Sequence, residues 1–241
     1  MSGFLKHSFF LSVQGLGELF FPRKCVVCRR FLETDERDIC AQCLEELPKT
    51  YQWDIVQNAA FERLARRFEV QDAASLMFFG TESDYRRILH GIKYGNRRQL
   101  AVRMGVLLGE HLARSRAFKA CQLVVPVPLH PLRRWKRGYN QAELIARGVA
   151  QAMGLPVEAG LLRRRRHTKT QTKLRGAAKT KNVQGAFAVD ARRAAAWQQQ
   201  GIRHLLLIDD TLTSGSTLAA CAAPLLSSRF RISCATIAFV G

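Results

Sequence analysis

A pair of acidic residues followed by a hydroxyl-rich loop is the part of this sequence best suited to bind a ligand. Four apolar residues, 205–208, lead into Asp209 and Asp210, and residues 213–217 are hydroxyl residues around Gly215. Backbone N–H groups and hydroxyls at the start of a helix cradle a phosphate, and a glycine lets the phosphate approach closely. The two carboxylates could hold sugar hydroxyls directly or through Mg²⁺. The alternative is that the two acids only cap an ordinary helix.

A second segment has the same design and carries positive charge. Residues 124–128 form an apolar strand that ends in prolines, and a cationic loop then leads into the next helix. The cations of this loop are Arg133, Arg134, Lys136 and Arg137. Because such groups bind phosphate oxygens, the loop could hold a pyrophosphate. Asn140 could cap the helix that follows.

Strands that alternate with helices must position these two loops. The sequence predicts strands at 74–79, 123–128, 205–209 and 232–240, and helices at 100–113, 141–153 and 216–226. This alternation predicts an α/β fold with a parallel sheet and helices on both faces. In such sheets ligands bind outside the carboxyl ends of the strands, where both loops begin. Residues 191–200 are predicted to be an exposed helical or loop insertion.

Four of the seven cysteines are spaced like zinc ligands. Two residues separate Cys25 from Cys28 and Cys40 from Cys43, and eleven residues lie between the pairs. Because a two-residue spacing lets both thiolates reach one metal, the pairs predict a tetrahedral zinc site with four sulfur ligands. No open coordination position remains, which indicates a structural zinc; an iron–sulfur centre is the alternative.

The charge of the chain predicts an anionic ligand or partner. Its 241 residues contain 38 lysines and arginines against 19 acidic residues, a formal net charge of +19, while 47% hydrophobic residues exclude wholesale disorder. Between Arg133 and Arg193 lie 16 of the basic residues and only 3 of the acidic ones. The densest part, residues 163–181, could be a solvated face, a lid over a phosphorylated substrate or a path for single-stranded DNA. It contains no aromatic residue that could stack on bases.

Two resemblances to known families sharpen these predictions. Residues 205–217 resemble the phosphoribosyltransferase signature, with Ser214 in place of its second threonine. Residues 125–146, with the sequence VPVPLHPLRRWKRGYNQAELIA, resemble the ComF (competence protein F) family. So do the segments Ile92-Lys93-Tyr94-Gly95, Thr168-x-x-Gln171 and Asn182-x-x-Gly185-Ala186-Phe187. This second resemblance spans nearly the whole chain, and an N-terminal double zinc ribbon is typical of that family.

The resemblance implies a type I phosphoribosyltransferase core that binds phosphoribosyl pyrophosphate with Mg²⁺. Asp209 and Asp210 would be the catalytic residues, in contact with the ribose hydroxyls, and residues 213–217 would bind the 5-phosphate. The implied substrate-binding residues are Lys93, Arg133, Arg137, Lys179, Thr211, Thr213, Ser214, Gly215, Ser216 and Thr217. Lys179 stands where the family usually has an arginine, so it keeps the charge without the bidentate fork.

Two functions are compatible with these residues. One is an enzyme that transfers a phosphoribosyl group to an acceptor the sequence does not identify. The other is a non-catalytic factor of competence and DNA uptake, whose basic stretch binds single-stranded DNA or partner proteins.

The sequence also predicts an organisation and a compartment. Residues 1–50 are predicted to hold an apolar helix and the zinc ribbon, residues 51–72 a helical connector, and residues 73–241 the phosphoribosyltransferase-like domain. No run is long and apolar enough to cross a membrane, and the metal-type cysteine pairs favour a reducing cytoplasm.

Overall fold

Four parallel strands form the central sheet in a computed structural model that describes residues 23–129, 135, 137–164 and 185–241. The strands of the protein are β1 (Ala73–Phe79), β2 (Leu123–Pro126), β3 (Leu162–Arg164), β4 (Phe187–Val189), β5 (His204–Leu212) and β6 (Arg231–Val240). In the sheet the order is β1, β6, β5, β2, and every pairing is parallel. Strands β3 and β4 form a separate antiparallel pair.

Some predictions concern residues outside the described ranges. These are the helix before Pro22, the cationic loop residues Arg133, Arg134 and Lys136, and most of the basic stretch, including Lys179.

Seven α-helices occur among the described residues. They are α1 (Ala41–Glu45), α2 (Ala59–Ala65), α3 (Arg86–Tyr94), α4 (Arg98–Arg114), α5 (Gln141–Met153), α6 (Ala191–Gln199) and α7 (Ser216–Ser227), and a 3₁₀ turn covers Gln52–Asp54. In the part of the chain that the structure describes, none of these helices has the length and apolar character needed to span a membrane.

Alternating side chains of β5 face two separate cores. Leu206 and Ile208 are buried in one cluster, together with residues of α3, α4 and α5. Leu205 and Leu207 are buried in the other, together with residues of α2, α7 and the β3–β4 pair. A strand with apolar neighbours on both faces belongs in the middle of a covered parallel sheet. The predicted α/β class, with helices on both faces, is confirmed.

Backbone contact between α4 and α5 fixes the position of α5. A Cβ on Gly148 would stand 2.1 Å from the Val102 carbonyl oxygen, and a Cβ on Gly105 would stand 2.2 Å from that of Ile145. Only glycine allows the two helices to approach this closely. The N-terminal end of α5 is thereby held beside the end of β2.

The carboxyl ends of β2 and β5 lie next to each other. Val127, one residue beyond β2, donates its N–H to the Ile208 carbonyl at 2.8 Å. Strand β5 continues three residues past its predicted end and includes Asp209 and Asp210. The loop after β2 therefore begins beside the acidic pair.

Three local predictions need correction. Helix α3 lies in a segment where no element was predicted. Within the predicted helical connector, residues 51–72, only the 3₁₀ turn and α2 are helical, and Ile55 and Val56 between them are exposed. Asn140 precedes α5 but makes no capping bond; its side-chain N–H donates to the Val127 carbonyl at 3.0 Å and ties the two ends of the intervening loop together.

Candidate functional site

A cavity of about 330 Å³ opens where the carboxyl ends of β2 and β5 meet. It is lined by Lys93, Tyr94, Val127, Pro128, Leu129, Arg137, Asn140, Gln141, Ala142, Arg164, Asp209, Asp210, Thr211, Thr213 and Thr217. These residues come from α3, the β2–α5 connection, β3, and β5 with the loop that follows it. The cavity thus lies at the sheet edge where α/β folds bind ligands.

Most of the predicted site residues within the described ranges share this cavity. Asp209 and Asp210 line it, as do Lys93, Arg137, Thr211, Thr213 and Thr217. Ser214, Gly215 and Ser216 belong to the same loop but do not line the cavity.

Lys93 connects α3 to the acidic pair. Its ammonium lies 3.3 Å from Asp210 Oδ1 and donates to Thr211 Oγ1 at 3.2 Å. Lys93 and Asp210 are both partly buried, so solvent screens this ion pair less than a surface pair. The Lys93 ammonium thus offsets only part of the negative charge of Asp209 and Asp210, and the two carboxyls can accept a further cation.

The environment of Asp209 disfavours its charged form. Burial, and then the charge of Asp210, raise the pKa of the Asp209 carboxyl to about 7. The Asp210 N–H, which donates to Asp209 Oδ1 at 2.8 Å, and the Lys93 ammonium oppose this rise. Near neutral pH the carboxyl is therefore poised between its two forms, and a bound cation would favour the carboxylate.

The hydroxyl loop after β5 turns sharply into α7. Gly215 has a φ of +74° at the N-terminus of this helix, and a Cβ there would stand 2.7 Å from Leu64 Cδ2 on α2. The Ser214 and Ser216 hydroxyl oxygens lie 3.0 Å apart, and Thr213, Ser214 and Thr217 are exposed. Exposed hydroxyls at a helix N-terminus form a surface that suits a phosphate group.

Arg137 and Tyr94 border the cavity on the side of the cationic loop. The Arg137 guanidinium lies 5.0 Å from the centre of the Tyr94 ring. Behind them, the buried Tyr139 hydroxyl donates to the Ile92 carbonyl at 2.6 Å. This bond joins the start of α5 to α3, so Lys93 and Arg137 are carried by elements that are fastened together.

Two further cations lie near the site, of which Arg164 belongs to the predicted basic stretch 163–181 and Arg63 was not predicted. Arg164, on β3, lines the cavity. Arg63, on α2, donates to the Thr213 carbonyl at 2.8 Å and also to the Val240 carbonyl. Nothing in the sequence predicts the contact between Arg63 and Thr213. The two residues lie 150 positions apart, and Arg63 has the pattern of an ordinary charged residue on a helix.

A separate cluster contains the four predicted metal ligands. The sulfur atoms of Cys25, Cys28, Cys40 and Cys43 all lie within 4.8 Å of one another. The sulfurs of Cys28 and Cys40 are 3.8 Å apart, which matches the edge of a tetrahedron with Zn–S bonds of about 2.3 Å. The cluster could therefore hold a zinc ion.

Hydrogen bonds around this cluster favour a thiolate. Burial acts to raise the pKa of Cys40, but the Cys43 N–H and the Arg30 side chain outweigh it and lower that pKa to about 6. The Cys40 N–H in turn donates to Cys25 Sγ at 3.4 Å. Thiolates that accept such bonds are suited to bind a metal.

Comparisons with known proteins agree with these features. No family model matches the chain. Competence protein F of Haemophilus influenzae is 29% identical over 184 residues, which cover 74% of this chain and 68% of that protein. The DNA utilization protein YhgH of Escherichia coli K12 is 29% identical over 209 residues, which cover 84% and 83%. The resemblance to the ComF family is confirmed.

Two solved structures resemble part of this ComF-like chain. The allosteric regulatory enzyme of purine biosynthesis has a TM-score of 0.36 and 18% identity, over 57% of this chain and 25% of the enzyme. Glutamine phosphoribosylpyrophosphate amidotransferase from B. subtilis, complexed with ADP and GMP, has a TM-score of 0.35 and 19% identity, over 56% and 26%. The chain spans about a quarter of each enzyme, and likenesses at these TM-scores carry no argument about function.

Burial, the charge of Asp210 and the opposing charge of Lys93 together determine the pKa of Asp209. In ¹³C NMR spectra of aspartate-labelled protein, we expect one carboxyl signal that titrates near pH 7. This signal should be absent from the spectra of Asp209→Asn. Lys93→Met should raise this pKa further because it removes the stabilising cation, and Asp210→Asn should lower it because it removes the neighbouring negative charge. Lys119→Met, an exposed lysine outside the cavity, is the control. A pKa of about 4 in the parent, the ordinary value of aspartate, would contradict this account.

Proposed function

We propose that the cavity binds phosphoribosyl pyrophosphate together with Mg²⁺. The observation that carries the proposal is the shared cavity, which is lined by two carboxyls, by Thr213 and Thr217 at the two ends of the hydroxyl loop, and by the cations Lys93 and Arg137. A sugar with phosphate groups at two of its carbons needs this combination. The phosphates need hydroxyls, N–H groups and cations, and the ribose hydroxyls need carboxylate acceptors.

Each group of residues has a role in this proposal. The loop of residues 213–217 holds the 5-phosphate, and Asp209 and Asp210 accept hydrogen bonds from the ribose hydroxyls. Arg137, with Arg133 in the same cationic loop, neutralises the pyrophosphate. When bound, Mg²⁺ supplies further positive charge to the pyrophosphate. The donor set fits it, because Asp209 and Asp210 offer two adjacent carboxyl groups with hard oxygen ligands.

The proposed reaction is transfer of the phosphoribosyl group to an acceptor. The bond between the anomeric carbon and the pyrophosphate oxygen breaks, the pyrophosphate keeps the electron pair, and the acceptor forms the new bond. Positive charge develops at the anomeric carbon while negative charge develops on the leaving group. Arg137 and Lys93 are placed to stabilise the leaving group, so the reaction needs no side-chain base at this step.

A role in DNA uptake or utilization accompanies this proposal. Its support is the naming of the relatives as a competence protein and a DNA utilization protein. We also place the protein in the cytoplasm, where its seven cysteines would stay reduced. That placement is supported by the metal-type spacing of the pairs Cys25–Cys28 and Cys40–Cys43, which favours a reducing compartment.

Removal of the two carboxylates should abolish sugar-phosphate binding. Calorimetric titration of the full chain with phosphoribosyl pyrophosphate and Mg²⁺ should show affinity at least about 100-fold lower in Asp209→Asn/Asp210→Asn, because hydrogen bonds to charged groups are lost. The control, Asp35→Asn/Glu69→Gln, removes the same charge from two exposed residues that form no ion pair with another described residue, and it should bind like the parent. Equal affinity in the acidic-pair variant, or no binding in the parent, would reject the proposal.

A second candidate function is binding of single-stranded DNA. It is favoured by a cavity of about 840 Å³, next to the first, in which Tyr94 and Trp135 lie among cations. Tyr94 is 66% exposed and Trp135 is 84% exposed. The cations at this cavity are Lys93, Arg98 and Arg137. Exposed aromatic rings among cations are the arrangement that single-stranded nucleic acids require, for base stacking and for phosphate contact.

Stacking and salt dependence test this second function. Affinity for a single-stranded oligonucleotide should fall steeply with salt, and Tyr94→Ala/Trp135→Ala should weaken it at least about tenfold, since two stacking contacts are lost. Tyr51→Ala/Val56→Ala, which truncates exposed apolar residues elsewhere, should leave it unchanged. DNA binding that does not respond to salt, or that both variants weaken equally, is the result that would refute direct recognition.

We further propose that the four-cysteine cluster holds a structural zinc. Residues 23–50 contain few buried apolar residues of their own, so a metal would hold this segment together. Metal analysis of protein purified without chelator should find one zinc per chain. Cys40→Ser should lose the zinc and lower the melting temperature, whereas Cys121→Ala, also a buried cysteine, should keep it. Less than one zinc per chain, or iron in its place, would contradict this assignment.

A further inference from the structure

A second cationic cavity adjoins the hydroxyl loop on the side away from the acidic pair. It has a volume of about 710 Å³ and lies between α2 and the loop. The residues that give it its chemistry are Glu62, Arg63, Arg66, Arg67, Thr213 and Ser214. Thr213 lines both this cavity and the cavity of the proposed sugar-phosphate site, so the two share one wall.

The three arginines of this cavity differ in whether their guanidiniums already have hydrogen-bond partners. Arg63 is occupied, because it donates to the Thr213 and Val240 carbonyls and its guanidinium lies 4.2 Å from the centre of the Phe239 ring. The side chains of Arg66 and Arg67 are exposed, and neither guanidinium makes a hydrogen bond or ion pair with another described residue. Two unoccupied guanidiniums therefore stand beside a third that is fixed in place.

The position of Arg66 and Arg67 at the end of α2 gives an ordinary reason for basic residues there. Cations are favourable next to the carbonyl end of a helix, whatever lies around them. The helix end alone does not explain why Arg66 and Arg67 line the same cavity as Thr213 and Ser214. Two guanidiniums and two exposed hydroxyls are a donor set for an oxyanion, and Glu62 and Gly241, the last residue of the sequence, also line the cavity.

Direct packing holds this donor set against the loop. Leu64 of α2 occupies the space where a Gly215 side chain would lie, and Arg67 Cδ is 3.4 Å from the same point. Together with the Arg63 bond to Thr213, this contact fixes α2 and the loop relative to each other. The backbone segments that carry the hydroxyls and the guanidiniums therefore keep a fixed separation, which lowers part of the entropic cost of binding a ligand.

We propose that Arg66 and Arg67, with the hydroxyls of Thr213 and Ser214, form a second anion site that binds an oligophosphate. The ligand is a small molecule with linked phosphate groups, either an inorganic oligophosphate or the phosphate tail of a nucleotide. A chain of phosphates matches the site better than a single phosphate, because two adjacent guanidiniums and two hydroxyls offer more donors than one phosphate accepts at once. The site is separate from the acidic pair, and it shares the Thr213 and Ser214 hydroxyls with the loop proposed to hold the 5-phosphate.

Protection of individual arginines from phenylglyoxal tests this site. The full chain is labelled with and without tripolyphosphate, and modification at each arginine is measured by peptide mass spectrometry. Tripolyphosphate should slow labelling of Arg66 and Arg67 at least about fivefold, and that of the exposed Arg114 and Arg116 by less than about 1.5-fold. The same protection should persist in Asp209→Asn/Asp210→Asn, which separates this site from the neighbouring one.

Further ligands distinguish the sources of the phosphate. ATP should protect as tripolyphosphate does, and adenosine should not protect. Protection by ATP alone, or by an oligonucleotide alone, would overturn the proposal of oligophosphate recognition. Equal protection of all four arginines, or no protection of Arg66 and Arg67, would also overturn it.

A charge-matched pair of variants gives an independent measurement. Tripolyphosphate should raise the melting temperature of the parent and of Arg114→Gln/Arg116→Gln by the same amount. In Arg66→Gln/Arg67→Gln this rise should shrink by at least half, and any remainder would come from other anion-binding loops. All four arginines are exposed, so both variants are expected to fold. An undiminished rise in Arg66→Gln/Arg67→Gln would contradict the site.

Discussion

The repulsion between two adjacent carboxyls at the end of a buried strand is the constraint on which the site depends. Strand β5 carries Asp209 and Asp210 to the edge of the sheet, where Lys93 is the cation paired with Asp210. Burial and this repulsion together disfavour full ionisation. Added positive charge stabilises the acidic pair, and a ligand that brings a cation or hydroxyl donors reduces the repulsion between the two carboxyls.

The rest of the fold holds the acidic pair and Lys93 in position. Close contact of α4 with α5 fixes the start of α5, and the Tyr139 hydroxyl fastens this region to α3, which carries Lys93. On the opposite face of the sheet, α2 rests on Gly215 through Leu64 and holds Thr213 through Arg63. Both cores therefore contribute to one edge of the sheet. The sites at that edge are rigid because the elements that carry them are packed on two sides.

The sequence predicted those elements whose structure depends on interactions between residues close together in the chain. Strand β5, helix α7 and helix α5 follow from apolar runs that end at glycine, proline or acids, and the structure places them within a few residues of prediction. The cysteine spacing likewise predicted the cluster, since a two-residue gap brings two sulfurs to one point. Lys93, Asp209 and Thr213 were singled out by motif, and their common cavity follows from the parallel order of the strands.

Long-range contacts account for what the sequence did not predict. Arg63 reaches Thr213 across 150 residues, and no periodicity encodes such a pairing. Helix α3 was missed because its buried residues Ile88, Leu89 and Ile92 are too few for a clear helical pattern. Asn140 sits where a capping residue belongs, but the Val127 carbonyl lies close enough to accept its side-chain N–H instead. Tertiary contact overrides local preference in each case.

An experimental structure of the protein with phosphoribosyl pyrophosphate and Mg²⁺ tests the central claim most directly. The account predicts the 5-phosphate against residues 213–217, the ribose hydroxyls on Asp209 and Asp210, and the pyrophosphate beside Arg137. Such a structure would also show whether space for an acceptor remains open beside the anomeric carbon. A ligand bound elsewhere, or one that leaves both carboxylates without contact, would contradict the account.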